Sequence, residues 1–298
     1  MMGEQGSGLT PGALAGMLGI SPTTLRTWHR RYGLGPSART SGNHRRYTPA
    51  DVERLRRMVE LTAKGLAPAA AAGIVLSEPP PAVATPAPRV DLSPDAARAV
   101  RRGFLNAACR LDEPLMRDLA VKLIAEHGVV DSWHQVFMPT LVQLGRRAAA
   151  RGRGVEVEHV TTAAVLHALR GVPFPAAEGR LAALLACAPD EQHTLPLEAL
   201  GAALSECDST WRHLGARLPA RALLDAVGKL RPAVVVVWAH RAELAREVPL
   251  RTLATRFDAV VAVAGPGWDP LVVPAGAERL TSLRHGVRVV LRATGRTG

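Results

Sequence analysis

Short apolar runs alternate with helical patterns over the C-terminal part of the chain. Five runs rich in valine, leucine and alanine predict strands: LAALLACA from residue 181, TWRHLG from 210, AVVVVWA from 233, AVVAVAG from 259 and VRVVLRA from 287. The segments between them, 196–207, 219–230 and 242–256, have the apolar spacing of helices. Continuous apolar strands that alternate with helices predict a parallel sheet covered on both faces, which is a Rossmann-like α/β domain.

Longer helical patterns fill residues 94–171 and predict a four-helix bundle. Ser93 and Pro94 supply a cap and a first-turn proline at its start, and later breaks are marked by Gly128, Gly152 and Gly154. Before the bundle, residues 79–88 read PPPAVATPAP, which is typical of a semi-extended linker.

The N-terminal segment has two short helical patterns joined by a glycine. Thr10 and Pro11 begin the first helix, Gly19 makes the turn, and Ser21 with Pro22 begins a second helix rich in arginine. This arrangement predicts a helix-turn-helix, whose second helix enters the major groove of DNA.

A hairpin is predicted after the helix-turn-helix, with its turn in SGNH at 41–44, and a third helix begins at Thr48. Arg45 and Arg46 would lie on this hairpin, close to DNA phosphates. Tyr47 would either hydrogen-bond to a phosphate or pack under the hairpin.

The charge of the chain points to an anionic partner. Its 298 residues carry a formal net charge of +11 at pH 7, and nine arginines stand against two acidic residues between positions 26 and 57. Such a cluster favours nucleic acid binding over an evenly solvated basic surface. Three cysteines form no paired motif and are predicted to be buried thiols: Cys109, Cys187 and Cys207. No membrane span or signal peptide is evident, so we expect a cytoplasmic protein.

The stretches TLRTWHRRYGL, SGNHRRYT and DVERLRRM, all within about residues 9–76, together resemble the MerR family of transcription regulators. The resemblance implies a winged helix-turn-helix that binds double-stranded promoter DNA as a homo-dimer or tetramer. It places Thr24, Arg26 and Arg30 on the recognition helix, and Arg45, Arg46 and Tyr47 on the wing.

The stretches GVEVEHVTTAAVLHAL, LLACAPDEQH and HLGARLP resemble a second group, the cobalamin-binding photoreceptor repressors of the CarH and LitR type. The first resembles the last bundle helix of that family, and the others resemble the opening of its cobalamin-binding sheet. The resemblance implies that cobalamin, as adenosylcobalamin or another form, is the cofactor. It implies a cofactor site formed by Glu158, His159, Glu191, His193, Gly215 and Gly265.

His193 has the position of a ligand, because it follows the first strand at the edge where parallel sheets bind small molecules. The resemblance makes it the lower ligand of the cobalt in cobalamin, and a neutral imidazole suits such an ion. Glu191 could hold the other ring nitrogen and fix the tautomer. No glycine-rich phosphate loop follows this strand, so a dinucleotide or a nucleoside triphosphate is not predicted.

Several positions differ from the pattern of that family. Pro196 stands where the family has a glycine three residues after the histidine, and Trp238 and Ala239 replace a small hydroxyl residue after the third strand. The Gly-Gly pair after the fourth strand becomes AGPGW, in which a proline separates the glycines. These positions make room for the nucleotide tail of the cofactor in the family, so an altered tail pocket is predicted here.

The upper face of the implied site also differs. Ala148 and Ala149 occupy the positions of a tryptophan that covers the upper ligand and of the second histidine of light-responsive members. A light response through a second histidine is therefore predicted to be absent or rewired. Trp133 and His134 imitate the missing pair about one helix earlier, with ordinary bundle packing as the alternative.

The sequence therefore predicts a multidomain protein with a mostly α winged helix-turn-helix, a four-helix bundle and an α/β Rossmann-like parallel sheet. The predicted boundaries are 1–76 for the DNA-binding domain, 77–93 for the linker, 94–172 for the bundle and 173–298 for the α/β domain. The predicted function is a DNA-binding transcription regulator with a cobalamin-type sensory module, and not an enzyme.

Three alternatives stay open. The sensory half could be degenerate and serve oligomerisation or partner docking in a cobalamin-independent regulator. It could belong to a corrinoid-dependent methyl carrier or mutase fragment, although no substrate domain accompanies it. It could also hold another tetrapyrrole, such as haem or a bilin, in a reshaped pocket.

Overall fold

The structure is a computed structural model that divides into two compact units, Met1–Ala87 and Pro88–Gly298. It describes residues 10–39, 45–63, 65–77, 89–175 and 179–296. The predicted hairpin turn at 41–44 and the proline-rich residues 79–88 lie outside the described residues. The predicted boundary between the bundle and the α/β domain stays a prediction, because both belong to the second unit.

The described part of the N-terminal unit has the three predicted helices, the predicted two-stranded antiparallel hairpin and a fourth helix that the sequence analysis did not predict. Its elements are α1 (Pro11–Leu18), α2 (Pro22–Tyr32), β1 (Ala38–Arg39), β2 (Arg45–Arg46), α3 (Pro49–Ala63) and α4 (Pro68–Ser77). Ser21 caps α2, because its side chain accepts a hydrogen bond from Thr24 N at 3.0 Å. Gly33 ends α2 in the left-handed conformation, with φ of 73°.

Asp51 joins the hairpin to α3. Its carboxylate is buried and accepts hydrogen bonds from Ser37 N, Ser37 Oγ and Thr48 N at 2.9, 2.7 and 2.8 Å. Burial alone would raise the pKa of Asp51, but these hydrogen bonds outweigh it and lower the pKa below its usual range. The base of the hairpin is therefore fixed to the start of α3.

The second unit begins with the predicted four-helix bundle. Its helices are α5 (Pro94–Cys109), α6 (Glu113–Ser132), α7 (Met138–Arg151) and α8 (Val155–Arg170), and a π-helical turn, Trp133–Phe137, joins α6 to α7. Gly128 interrupts α6 with φ of 79°, and the freed Val129 N donates to the Glu206 carboxylate at 3.0 Å. Gly152 and Gly154 separate α7 from α8, as predicted.

The rest of the second unit is a five-stranded parallel sheet with strand order β4-β3-β5-β6-β7. The strands are β3 (Ala183–Cys187), β4 (Trp211–His213), β5 (Val234–Trp238), β6 (Val260–Ala264) and β7 (Ala277–Leu280). The helices are α9 (Leu195–Glu206), α10 (Ala220–Leu230), α11 (Ala242–Arg246), α12 (Leu250–Arg256) and α13 (Leu283–Ala293). The predicted Rossmann-like class is confirmed.

Two predictions about this sheet are wrong. The run VRVVLRA, predicted as a strand, lies in α13, and the predicted helix 242–256 is divided into α11 and α12. The fifth strand is β7, which the sequence analysis missed.

Two hydrophobic cores lie on opposite faces of the sheet. One contains residues of the bundle, α9 and α13, so the bundle and this face of the sheet share a core. The other is formed with α10, α11 and α12. Cys187 is buried and Cys207 is half-buried, but Cys109 is exposed, so the predicted burial is wrong for Cys109. In the described ranges, no helix is both long and apolar enough to cross a membrane.

Candidate functional site

The recognition-helix residues lie on α2. Leu25 and Trp28 are buried in the core of the N-terminal unit, whereas Arg26 and Arg30 are exposed. Residues four apart share one face of a helix, so the two arginines form a basic surface opposite the packed face. Neither arginine makes an ion pair with a described residue. Thr24 is half-buried, and its hydroxyl lies 2.9 Å from Ser21 Oγ, so it also takes part in the cap of α2.

The wing residues divide into two kinds. Arg45 and Arg46 form β2, which pairs with β1 in the register Arg39↔Arg45 and Ala38↔Arg46. Tyr47 is only 4% exposed and packs in the core of the unit. Its burial favours the predicted packing role over a phosphate contact.

His193 and Glu191 form the centre of the candidate cofactor site, in the loop between β3 and α9. His193 Nδ1 donates to Glu191 Oε1 at 2.5 Å, and the His193 side chain is 58% exposed. Its other ring nitrogen, Nε2, makes no hydrogen bond with a described residue. The arrangement is the one predicted: a carboxylate holds Nδ1, and Nε2 carries the lone pair that a metal ion would bind.

Glu191 is 1% exposed and is held by backbone donors as well as by the imidazole. Gln192 N and His193 N donate to Oε1 at 2.8 and 2.9 Å, and His240 N donates to Oε2 at 2.5 Å. Burial would raise the pKa of Glu191, but the hydrogen bonds from the two histidine residues lower it. The carboxylate is therefore ionised at neutral pH and fixes the loop.

His240 is a residue of this site that the sequence analysis missed. It follows β5, and its ring centroid lies 4.5 Å from that of His193, with an angle of 31° between the planes. Burial lowers the pKa of His240, and the neighbouring His193 lowers it further. The signal that could have found it is the parallel sheet itself, because the residues that follow adjacent strands meet at one edge.

Trp238 ends β5 beside His240, opposite Cys187 in the register. Its side chain packs in the core on the face of the sheet that α9 and α13 cover. Its Nε1 is buried without a hydrogen-bond partner among the described residues. This is one of the positions at which the sequence analysis predicts an altered tail pocket, and that stays a prediction.

Gly265 packs closely against the end of β5. Its φ is 102°, and a Cβ there would lie 2.3 Å from Ala239 O and 3.1 Å from the Trp238 ring. Only glycine fits such a position. Gly265 thus has a clear packing role, and its predicted contact with a cofactor stays a prediction.

Helices α9 and α13 pack closely beside Trp238. A Cβ on Gly286 of α13 would lie 3.1 Å from Leu200 of α9 and 3.3 Å from Leu280. Pro196 lies in the first turn of α9, where a missing N–H costs nothing. The space between these helices is therefore filled by side chains.

The bundle residues predicted for the site lie on α8, and no described contact joins them to His193. The Glu158 carboxylate lies against Gly145 of α7, and His159 is exposed. Ala148 is buried and Ala149 is exposed, both on α7.

Trp133 and His134, the Trp-His pair noted in the sequence, lie in the π-helical turn between α6 and α7. Trp133 is buried in the bundle core, as the packing alternative predicts. His134 is half-buried near the Asp131–Arg284 ion pair, and burial lowers its pKa.

A cavity of about 490 Å³ lies next to the His193 loop. It includes Gly215, which follows β4 with φ of 83°. It is lined by the end of α8, one side of α9, and β4, with the side chains of Arg170, Phe174, Thr194, Glu198, Ser205, Trp211, Arg212 and His213. A volume of this size is in the range of small-molecule sites.

The buried carboxylate of this cavity is Glu198. Arg170 donates to its Oε1 at 2.7 Å, and His213 Nδ1 lies 3.4 Å from the same oxygen. Burial would raise the pKa of Glu198, but the bonds from His213 and Arg170 lower it to about 2. The sequence analysis missed these residues, because they are brought together only by the packing of α8, α9 and β4. Among the described residues, no group of three or more His, Cys, Asp or Glu could hold a metal ion.

Two family models match the helix-turn-helix and the helical bundle. A model of the MerR HTH regulatory protein family matches residues 9–78, and a model of a B12 binding domain matches residues 100–170. The described structure resembles the monomethylamine corrinoid protein of Methanosarcina barkeri with a TM-score of 0.53. That likeness covers 66% of this chain and 99% of the other at 12% identity, so it shows the fold alone.

Two regulators of Myxococcus xanthus are similar over most of the sequence. The HTH-type transcriptional repressor CarH is 33% identical over 232 residues, which are 74% of this chain and 75% of CarH. The HTH-type transcriptional repressor CarA is 32% identical over 244 residues, which are 78% of this chain and 77% of CarA. The chain therefore belongs to the family of DNA-binding transcription regulators that join a MerR-type helix-turn-helix to a B12-binding sensory domain.

Proposed function

We propose that this chain represses transcription by binding double-stranded promoter DNA through its N-terminal unit, and that a corrinoid bound at His193 controls that binding. The observation that carries the proposal is the pair formed by Glu191 and His193. A buried carboxylate holds Nδ1 of an otherwise exposed imidazole at 2.5 Å, at the edge of the sheet where such folds bind ligands. Both relatives are named repressors, which supports repression as the mode.

The residues of this loop are suited to bind the metal ion of a corrinoid. A corrinoid supplies a cobalt ion, and an imidazole nitrogen is a suitable lower ligand for it. His193 would offer Nε2, and Glu191 would keep the proton on Nδ1, so that the lone pair stays on Nε2. Glu191 can do so because its own pKa is lowered and it is ionised at neutral pH.

The proposal includes no light response through a second histidine, because Ala148 and Ala149 carry no atom that could bind cobalt. The proposed corrinoid is cobalamin, as adenosylcobalamin or another form. We also expect a homo-dimer or tetramer on near-palindromic DNA, as the resemblance to the MerR family implies.

A visible absorption spectrum tests the corrinoid. The purified full-length chain is mixed with hydroxocobalamin or adenosylcobalamin in the dark, desalted and measured. We expect retained corrinoid whose spectrum shifts from that of the free compound, because an imidazole has replaced its lower ligand. His193→Ala should abolish this shift, and Glu191→Gln should weaken retention, because Nδ1 loses its anionic partner.

His285→Ala is the matched control, since His285 also bonds to a carboxylate, Glu278 at 3.0 Å, on a different part of the sheet. It should leave the spectrum unchanged. A chain that retains no corrinoid would contradict the proposed cofactor and favour a sensory half that serves oligomerisation or docking. A retained corrinoid whose spectrum is the same in His193→Ala would exclude His193 as the ligand.

A further inference from the structure

The cavity beside α9 and β4 has the chemistry of a nucleotide site, and nothing assigns it a ligand. We infer that it receives the nucleotide tail of the bound cobalamin, in place of the space between α9 and α13. The inference rests on the proposed function, because it concerns the same corrinoid. Two features support it: the side chains that fill the space between α9 and α13, and the residues that line the cavity.

Cobalamin carries a benzimidazole nucleotide on the lower face of its ring. If His193 takes the lower position on cobalt, that base is displaced and must lie on the same side of the ring as His193. Two spaces near the His193 loop come into question: the one between α9 and α13, and the cavity between α9 and β4. The structure distinguishes them.

The space between α9 and α13 is closed. The half-buried Trp238 side chain packs against that core, and Gly286 of α13 lies so close to α9 that a Cβ on it would be 3.1 Å from Leu200. Gly265 lies directly against the Ala239 backbone and the Trp238 ring, since a Cβ on it would be 2.3 Å from Ala239 O and 3.1 Å from the ring. A nucleotide would have to displace a packed indole to enter, and packed interiors resist such changes.

The cavity between α9 and β4 offers aromatic surface to a base. The rings of Phe174 and Trp211 lie 5.3 Å apart between centroids, at 51° to each other. Trp211 lies against Gly201 of α9, where a Cβ would be 2.6 Å from its ring, and its Nε1 donates to Ser205 Oγ at 2.9 Å. Aromatic side chains of this kind stack on nucleotide bases.

The same cavity offers positive charge to a phosphate. Arg212 lies over the Phe174 ring, with Cζ 5.4 Å from the centroid, and it makes no ion pair with a described residue. Arg170 is 63% exposed and already pairs with Glu198, so the two arginines exceed the single carboxylate by one charge. Arg212 donates to Trp211 O at 2.9 Å, but a guanidinium without a carboxylate partner is a good partner for a phosphodiester.

His213 supplies an independent sign of a missing ligand. Its side chain is nine-tenths buried, with 9% exposed, and it lines the cavity. Nδ1 is near Glu198, but Nε2 is buried with no partner in the described part of the chain. Buried polar atoms are rarely left without a hydrogen bond, and a hydroxyl of a nucleotide could donate to this one.

The cavity is within reach of a corrinoid at His193. Thr194 lines it and is the next residue in the chain. The loop after β4 is bonded to the His193 loop, because Arg217 N donates to Glu191 O at 2.7 Å. The cavity therefore lies directly beside the loop that is proposed to hold the corrinoid.

The test compares corrinoids with and without a tail. Hydroxocobalamin and aquocobinamide, which lacks the nucleotide, are titrated into the full-length chain by calorimetry. We expect hydroxocobalamin to bind at least about tenfold more tightly, the ratio that corresponds to about 1.4 kcal/mol. Phe174→Ala and Arg212→Ala should each remove most of that preference and leave aquocobinamide affinity unchanged. Both residues are exposed, so neither change threatens the fold.

Arg221→Ala is the matched control, because Arg221 is an exposed arginine on α10, away from the cavity lining. It should keep the preference for hydroxocobalamin. If the unchanged chain binds aquocobinamide as tightly as hydroxocobalamin, or more tightly, the inference is wrong. If that binding still depends on His193, the proposed function remains valid. Variants that weaken both corrinoids equally would overturn it too.

Two further arms separate other occupants. Saturable binding of AMP that Arg212→Ala abolishes, without any preference between the corrinoids, would assign the cavity to a free nucleotide and overturn the inference. A large gain of hydroxocobalamin affinity in Trp238→Ser, with no effect of Arg212→Ala, would place the tail between α9 and α13. Binding of neither corrinoid would overturn both this inference and the proposed cofactor.

Discussion

Glu191 shows how one buried side chain can define a site. Its two oxygens receive donors from the loop after β3 and from the loop after β5, so a single carboxylate joins two strand ends. Removing a buried acceptor leaves several donors without partners, which costs more than one hydrogen bond contributes. The position of His193 therefore depends on Glu191 at least as much as on its own packing.

Glu198 gives a prediction about pH. Its pKa is about 2 against an ordinary 4.5, because the bonds from His213 and Arg170 outweigh burial. A lowered pKa in the folded state stabilises the protein fully above the unfolded pKa, and this stabilisation is lost as pH falls from about 4.5 towards 2. It amounts to roughly 3 kcal/mol at neutral pH.

Urea unfolding of Glu198→Gln and of the unchanged chain, at pH 7 and at pH 3, measures this contribution. We expect Glu198→Gln to be less stable at pH 7, by an amount that shrinks clearly at pH 3. Glu243→Gln, an exposed residue of α11, should lower stability at neither pH. A difference of the same size at both pH values would show that the ionisation of Glu198 contributes nothing.

At the scale of elements, α2 and the wing should make different contributions to DNA binding. Arg26 and Arg30 share the exposed face of α2, and Arg46 lies on β2. Removal of a phosphate contact lowers the affinity for all DNA sequences alike, whereas removal of a contact to a base edge changes the sequence preference. We therefore expect Arg46→Ala to weaken binding to all DNA sequences alike. It should also reduce the slope of log affinity against log salt concentration by about one.

Gel shifts on the region upstream of the chain's own gene, at several salt concentrations, measure both effects. Arg26→Ala and Arg30→Ala should alter preference among operator variants as well as affinity, by about 1–3 kcal/mol at the contacted position. Arg56→Ala is the control, because Arg56 is exposed on α3 but pairs with Glu53 at 3.1 Å. Unchanged affinity and preference in all three variants would refute the assignment of α2 and the wing.

The elements also show where sequence patterns suffice. Caps and first-turn prolines predicted the starts of α2 and α5, because these signals are local, and the continuous apolar runs predicted the buried strands β3, β5 and β6. The run VRVVLRA misled because four valines and leucines look like a strand when read alone. With Leu283 included, the apolar positions recur every three to four residues, and arginines fill the opposite face of α13. β7 was missed because AERL is a short edge strand with two charged residues.

The site was predictable to the extent that it lies in one loop. His193 and Glu191 are two residues apart, so their pairing followed from sequence. His240 and the residues around Glu198 come from separate strands and helices, and only the packing of the sheet brings them together. Resemblance to a family also could not show what fills the space beside Trp238, since that depends on how closely α9 approaches α13.

On the scale of the whole molecule, the chain joins a unit that binds DNA to a unit that binds a small molecule. The two sites lie in different compact units, Met1–Ala87 and Pro88–Gly298. Regulation requires that the corrinoid has different affinities for the DNA-bound and free states, because a ligand shifts an equilibrium only by its differential affinity. The effect of corrinoid on DNA affinity is then a coupling free energy between the two sites. Such a coupling is reciprocal, so that each ligand changes the affinity for the other by the same factor.

This reciprocity gives the last prediction. If corrinoid changes the affinity for promoter DNA by some factor, DNA must change the affinity for corrinoid by the same factor, typically about 5–150-fold for regulatory proteins. DNA affinity is measured by fluorescence anisotropy with and without saturating hydroxocobalamin, and corrinoid affinity by absorbance with and without saturating DNA. His193→Ala should bring both factors to one and leave DNA affinity in the absence of corrinoid unchanged, because His193 lies outside the DNA-binding unit. If corrinoid binds through His193 and both factors are one, the bound cofactor does not change the affinity for the operator. The proposed control of transcription is then wrong.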